Sequence, residues 1–192
     1  MDVDRFLNSA GSRRAFFRTA GVGLAGGSAV LLAACGGDDG GAATGPASGS
    51  TPDVEILNSA LDLENTAVAA YAAGARHLKG SVRATGVQFL SQEREHAAAL
   101  GQAIKQLGGT PTKPKAAYDF PEFKGQEDVL NFALDLEGTA VAAYIDALPK
   151  VSDPELRGTA SAILTNEAEH ISVLLGALGR PQVPSAFVIG GL

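Results

Sequence analysis

Apolar residues recur every three or four positions along four stretches of this chain, the spacing of one buried face on an α-helix. The first stripe runs through Leu57, Leu61, Val68, Tyr71, Ala75 and Leu78, and the second through Leu90, Ala97, Leu100, Ile104 and Leu107. The third is Leu130, Leu134, Val141, Tyr144 and Leu148; the fourth is Leu156, Ile163, Leu174 and Leu178. Residues that start or stop helices bound them. Thr51-Pro52, a capping hydroxyl followed by proline, predicts a helix from about Asp53 to Lys79 that stops at Gly80. A second is predicted from about Val82 to Leu107, ended by Gly108-Gly109, and a third from about Glu127 to Leu148, ended by Pro149. The fourth opens at Ser152-Asp153-Pro154 and closes at Gly179. Short turns inside each pair predict two antiparallel hairpins. The segment between them, Thr110 to Gln126 with prolines at 111, 114 and 121, is long enough to run the length of a bundle and set the third helix parallel to the second. The expectation is an all-α four-helix bundle built from two hairpins and a long crossover.

The two halves also repeat in sequence. Leu57 to Tyr71 reads LNSALDLENTAVAAY and Leu130 to Tyr144 reads LNFALDLEGTAVAAY, differing only at Ser59/Phe132 and Asn65/Gly138. Each copy carries a glutamate inside its apolar stripe, Glu64 and Glu137. Farther on, each half carries Glu-x-x-His, as Glu93 with His96 and Glu167 with His170, again on the stripe. Residues three apart share a helix face about 4.5 Å apart along the axis, so each Glu and its His can reach one centre. Glu95 and Glu169 lie about 200° round from the first acid of their motifs and are expected to face away.

A single glutamate or histidine on an apolar stripe is ordinarily an ion-paired acid or a hydrogen-bonded core histidine. Four glutamates converging are different, because close carboxylates repel by about 4 kcal/mol per pair at moderate effective dielectric, and burial without a partner costs several more. No Lys or Arg lies on the stripes to balance them; Arg94 is next to Glu93 in sequence but about 100° round the helix. Two divalent cations balance four carboxylates with no other charge. Tyr71 and Tyr144, two turns past Glu64 and Glu137, are expected either to pack in the core or to hydrogen-bond a ligand on a neighbouring helix. His77 has no acid partner and is given no role.

At these residues the sequence resembles the ferritin-like superfamily of dimetal carboxylate proteins, most closely its exported ferritin-like domain branch. The superfamily's ligand set is one Glu from each of two helices and Glu-x-x-His from each of the other two. The resemblance covers about Asp53 to Gly179 and implies metal ligands at Glu64, Glu93, His96, Glu137, Glu167 and His170. It further implies that Glu93 and Glu167 bridge or flank the two metals, with Glu64 and His96 completing one side and Glu137 and His170 the other. Iron is the first choice by resemblance; oxygen-rich sites with one imidazole per metal suit iron or manganese, and zinc is open on ligand type.

Residues 1–34 look like an export signal. Arg13-Arg14 followed by Phe16-Phe17 has the form of a twin-arginine signal, and a Gly/Ala/Leu run leads to Leu32-Ala33-Ala34-Cys35-Gly36, which resembles a lipoprotein cleavage box with Cys35 as the lipidated residue. Cys35 is the single cysteine in the chain, so neither a disulfide nor a thiolate metal cluster is available. Residues 35–51 are Gly, Ala, Ser, Asp and Pro, the composition of a flexible tether, leaving 52–192 as the globular domain with a C-terminal arm. Removal of four bases and two acids before Cys35 takes the net charge from −6 to −8, which leaves no basic footprint for nucleic acid.

The function expected is a dimetal protein, di-iron by resemblance, on the outer face of the cell membrane, an oxidoreductase of ferroxidase or peroxidase type using dioxygen or peroxide. It would need an external electron donor, since the chain carries no Cys-x-x-Cys carrier, and homodimerisation through Ala-rich faces is plausible. Two alternatives stand beside it: a non-catalytic metal-binding lipoprotein, and a structural or stress-associated protein with a vestigial site. The segments after the second and fourth helices, with Pro111, Pro114, Tyr118 and Phe120 matched by Pro181, Pro184 and Phe187, are expected to be extended arms covering the bundle.

Overall fold

A computed structural model describes residues 51–191. The signal read at Arg13 and Arg14, the lipidation residue Cys35 and almost all of the tether lie outside the described residues. Four helices follow one another: α1 over Pro52–Gly74, α2 over Gly80–Gln106, α3 over Gln126–Ala147 and α4 over Pro154–Ala177. Short 3-10 turns, Ala75–His77 and Leu148–Lys150, extend α1 and α3 to about where the apolar pattern placed their ends. None of the described helices is long and apolar enough to cross a membrane.

The ends form for local reasons. Thr51 Oγ1 accepts from Val54 N at 3.4 Å and Asp153 Oδ1 from Glu155 N at 2.7 Å, while Pro52 and Pro154 supply the preset φ of a first turn. Helices α2 and α4 both stop at a left-handed glycine, Gly108 (φ +78°) and Gly179 (φ +70°), where the next amide bonds back to Ile104 O or Leu175 O at 2.9 Å. A side chain at that φ would be strained, so both stops depend on glycine.

Each hairpin packs on itself, and α1 also packs on α3 while α2 packs on α4. The start of α3 meets the end of α1: Lys79 N donates to Gln126 Oε1 at 3.1 Å, and a Cβ on Gly74 would fall 2.6 Å from Val129. The starts of α1 and α4 are tied by the buried carboxylate of Asp53, which accepts from Ser152 N and Asp153 N at 2.8 and 3.2 Å. Helices α2 and α3 therefore run parallel, as the long connection implied. That connection crosses α1, where Asn58 accepts from Thr112 N at 2.6 Å and Lys115 pairs with Asp62 at 3.0 Å. It then buries Phe123 against Phe132, ring centres 5.4 Å apart.

The two trailing arms are not equivalent, contrary to the expectation. The crossover covers the bundle with Phe120 and Phe123, but the C-terminal arm leaves Val183, Phe187 and Ile189 at 81%, 79% and 68% exposure. The arm touches the bundle at its two ends. Gln182 lies over Gly176, and the carbonyl of Gly190 sits 2.9 Å from where a Cβ of Gly138 would be. Its middle therefore stands off α4.

Candidate metal centre

Glu64 on α1, Glu93 and His96 on α2, Glu137 on α3, and Glu167 and His170 on α4 meet in the middle of the bundle. All four glutamates are 2% exposed or less, His170 is 1% exposed, and the His96 side chain reaches 12%. Glu95 and Glu169 are exposed, as their angular position required.

The six arrange as two groups that share two members. His96 Nδ1 lies 3.4 Å from Glu64 Oε2, 3.5 Å from Glu93 Oε2 and 3.0 Å from Glu167 Oε1. His170 Nδ1 lies 3.1 Å from Glu93 Oε1, 3.3 Å from Glu137 Oε1 and 3.3 Å from Glu167 Oε2. Glu93 and Glu167 thus turn one oxygen to each histidine, whereas Glu64 and Glu137 face one histidine each. In either group, each residue offers one ligand atom, and the offered atoms all lie within 4.8 Å of one another.

Seven of these converging atoms, Glu64 Oε2, both oxygens of Glu93 and of Glu167, and both Nδ1 atoms, are buried and make no hydrogen bond. Buried polar atoms are ordinarily partnered. Among the described residues, the cationic partners within ion-pair distance of the four carboxylates are these two histidines alone, with no Lys or Arg. A concentration of oxygen and imidazole lone pairs aimed at two points is a donor set that fits two cations.

Without cations the same cluster balances itself with protons. Burial, then the charges of Glu167 and Glu93, pushes Glu64 up to about 8, and burial raises Glu137 well above the carboxylate range. Burial acts the same way on Glu93 and Glu167, but the histidines outweigh it, leaving Glu93 below its ordinary value and Glu167 at about 2. Burial would lower the histidines, yet facing carboxylates carry His96 up to about 12 and His170 up to about 11. Two carboxylates, two neutral acids and two imidazoliums sum to zero.

The supporting contacts differ between the halves. Both tyrosines do both things expected of them: each is buried, Tyr144 donating to Glu64 Oε1 at 2.5 Å and Tyr71 to Glu137 Oε1. Burial and those carboxylates hold both phenols well above their ordinary pKa, so they remain donors. His170 Nε2 donates to Gln92 Oε1 at 3.0 Å, which turns Nδ1 inward, and its ring stacks on Phe89 with centres 3.8 Å apart. At the matching positions beside His96 stand Asn166 and Ile163. Asn166 is one methylene shorter and bonds Glu169 instead, at 3.2 Å. The sequence reading passed over Gln92, although its place one residue before the Glu-x-x-His motif, and the Gln/Asn difference between the repeats, marked it. His77 stands apart, half-buried against Phe123 and accepting from Arg76 Nε at 3.0 Å.

Comparisons with known proteins agree with this architecture. No curated protein matches the chain. A conserved hypothetical protein from Mycobacterium tuberculosis superposes with a TM-score of 0.63 at 20% identity, covering 68% of this chain and 99% of its own. A ferritin-like, diiron-carboxylate protein from Bacillus anthracis gives 0.59 at 24% identity, covering 65% and 94%. A dodecameric thioferritin, the bacterioferritin-related protein of Bacteroides fragilis, gives 0.59 at 26% identity, covering 66% and 83%. The ferritin-like domain family matches residues 52–180, the stretch that holds all four helices and all six converging side chains, and the chain belongs to that family.

Proposed function

We propose that Glu64, Glu93, His96, Glu137, Glu167 and His170 hold a pair of metal ions, iron in the first place, and that the protein is a redox enzyme of ferroxidase or peroxidase type acting on dioxygen or peroxide. The observation that carries this reading is the set of seven buried, unbonded donor atoms aimed at two points. Glu93 and Glu167, with one oxygen toward each histidine, would be shared by the two ions, and Glu64 with His96 and Glu137 with His170 would hold one ion each. Bound iron would supply one-electron chemistry at each of two adjacent positions. Tyr144 and Tyr71 hold the terminal carboxylates in place, and Gln92 holds His170 in the tautomer that leaves Nδ1 free.

Access supports a small reactant. Between α1 and α3 a crevice of about 10 Å³ reaches Glu64, Glu93 and Glu137, flanked by Ala67 and Ala140, which occupy matching positions of the repeat. That is about the space one water needs. Dioxygen and peroxide, with two heavy atoms each, need little more than that, whereas an organic substrate needs several times as much.

With Cys35 read as a lipid anchor and Arg13-Arg14 as an export signal, this chemistry would take place on the outer face of the cell membrane, with electrons from an external donor. The Bacteroides fragilis relative is described as dodecameric, which favours self-association here too. The test is anaerobic loading of the chain with ferrous iron, followed by admission of air. Oxidation much faster in wild type than in Glu64→Ala is expected, with two metals bound per chain by elemental analysis. Two metals bound without accelerated oxidation leaves a metal-holding protein; no metal bound leaves a structural one.

A further inference from the structure

The two ends of the bundle differ in how they are filled. Beyond Tyr144 the bundle interior is filled by Val54, Leu100, Ala103, Ile104, Ala160 and Ile163. The opening of about 240 Å³ beside Tyr144 is a groove of α1, α3 and the turn after α3, with Asp146 and Lys150 on it. Beyond Tyr71 the interior is hollow, a cavity of about 270 Å³ bounded by all four helices and by Gln182 of the C-terminal arm. The repeat shows why. Where the first half has Val54 and Ile104, the second has Glu127, which is exposed, and Leu178, which is only half-buried. Where α4 carries Ala160, α2 carries Gly86, where a Cβ would fall 2.6 Å from Leu78 Cδ1, so Leu78 packs directly on the α2 backbone at the cavity wall.

The cavity wall is apolar, with Val82, Leu130, Ala133 and Leu174, and no charged residue lines it. Two aromatic rings form its inner end, Tyr71 and Phe89, set edge to face with centres 5.9 Å apart. Hydroxyls lie along it at Ser81 and Thr85. An apolar cavity of roughly 150 Å³ suffices for one benzene ring. The larger volume suits two fused rings, and the wall without charge disfavours an ion, whose desolvation would go uncompensated.

We propose that this cavity binds a small neutral molecule of two fused aromatic rings, seated against Tyr71 and Phe89 with a single hydroxyl or carbonyl toward Ser81 and Thr85. Those same rings touch the centre: Tyr71 donates to Glu137 and Phe89 stacks on His170. An occupant therefore lies one side chain away from two of the six converging residues. Its binding does not depend on the metal reading.

The probe is 2-naphthol, titrated into the metal-free full-length protein and followed by its fluorescence and by the ring proton resonances of Phe89 and Tyr71. One saturable site per chain is expected, with both rings shifting. Filling the cavity with Thr85→Phe, or its rim with Val173→Trp, should weaken binding by about tenfold or more, the scale on which a hydrophobic pocket registers lost volume. Naphthalene-2-sulfonate, the charged analogue, should bind about tenfold more weakly or worse, because the cavity offers its charge no partner. Circular dichroism confirms that each variant is folded, and two independent variants guard against one that is not. Absence of saturable binding, or equal binding by both folded variants, overturns the proposal. So does binding that survives both and is lost in Phe187→Ser, which would put the probe on the exposed arm.

Discussion

Tyr144 on α3 donates its hydroxyl hydrogen to Oε1 of Glu64 on α1 at 2.5 Å, and Tyr71 on α1 reaches the other way to Glu137 on α3. Each half of the repeat thus supports the acid of the other half. The bond matters most when Glu64 is a carboxylate, since hydrogen bonds to charged groups contribute about 1.5–3 kcal/mol against about 1 kcal/mol for neutral pairs. Tyr144→Phe should therefore lose more stability in the metal-loaded protein than in the metal-free one, measured by denaturant unfolding of both. Equal losses would show that Glu64 keeps the same charge in both states.

Metal and protons compete for the same atoms. Near neutral pH the metal-free cluster holds protons on Glu64, Glu137, His96 and His170, so binding two metals should release about four. Titration calorimetry in buffers of different ionisation enthalpy counts them, and metal affinity should rise with pH. Stability of the metal-free protein should move the opposite way. Raised histidines stabilise fully below about 6.5 and lose that contribution as pH climbs toward about 11 and 12; Glu64, raised from 4.5 to about 8, acts in the same sense at lower pH. Thermal midpoints of the metal-free protein that rose from pH 6 to 9 would contradict this assignment.

Gln92 fixes His170, and nothing matching it fixes His96. Gln92→Ala should weaken one of the two bound metals by about 10- to 100-fold, the usual consequence of removing an outer partner of a ligating histidine, and spare the other. Asn166→Ala should change neither by more than about threefold. Competition with a chelator of known affinity measures both.

Gly138 stands where the first repeat has Asn65, and the carbonyl of Gly190 occupies the space a side chain would need. Gly138→Ala should lift the end of the arm and leave the helix intact, because alanine is favoured over glycine in a helix interior by about 1 kcal/mol. Limited proteolysis within 181–190 should accelerate while the helical circular dichroism is unchanged. Unaltered proteolysis would mean that the arm is held elsewhere, at Gln182 over Gly176.

Much of this architecture was legible because two periodicities coincided. The 3.6-residue stripe and the 73-residue repeat of Leu57–Tyr71 placed four helices and set all six donor residues on inward faces, and helix geometry carries such residues inward whatever the loops do. The same repeat hid what distinguishes the halves. The differences at Ser59/Phe132 and Asn65/Gly138 gain their meaning only in the fold, where Phe132 lies under the crossover, packed on Phe120 and Phe123, and Gly138 lies under Gly190.

By itself the sequence determined the bundle, the direction of its third helix and the inward convergence of the six side chains, since these follow from helical period, caps and the length of one connection. Tertiary structure alone decided which carboxylates face both histidines, which histidine is locked by Gln92, which acid each tyrosine bonds, and that the four helices leave a cavity beyond Tyr71. Those facts depend on distances between helices, and residue spacing along one helix contains no information about where its neighbour's atoms lie.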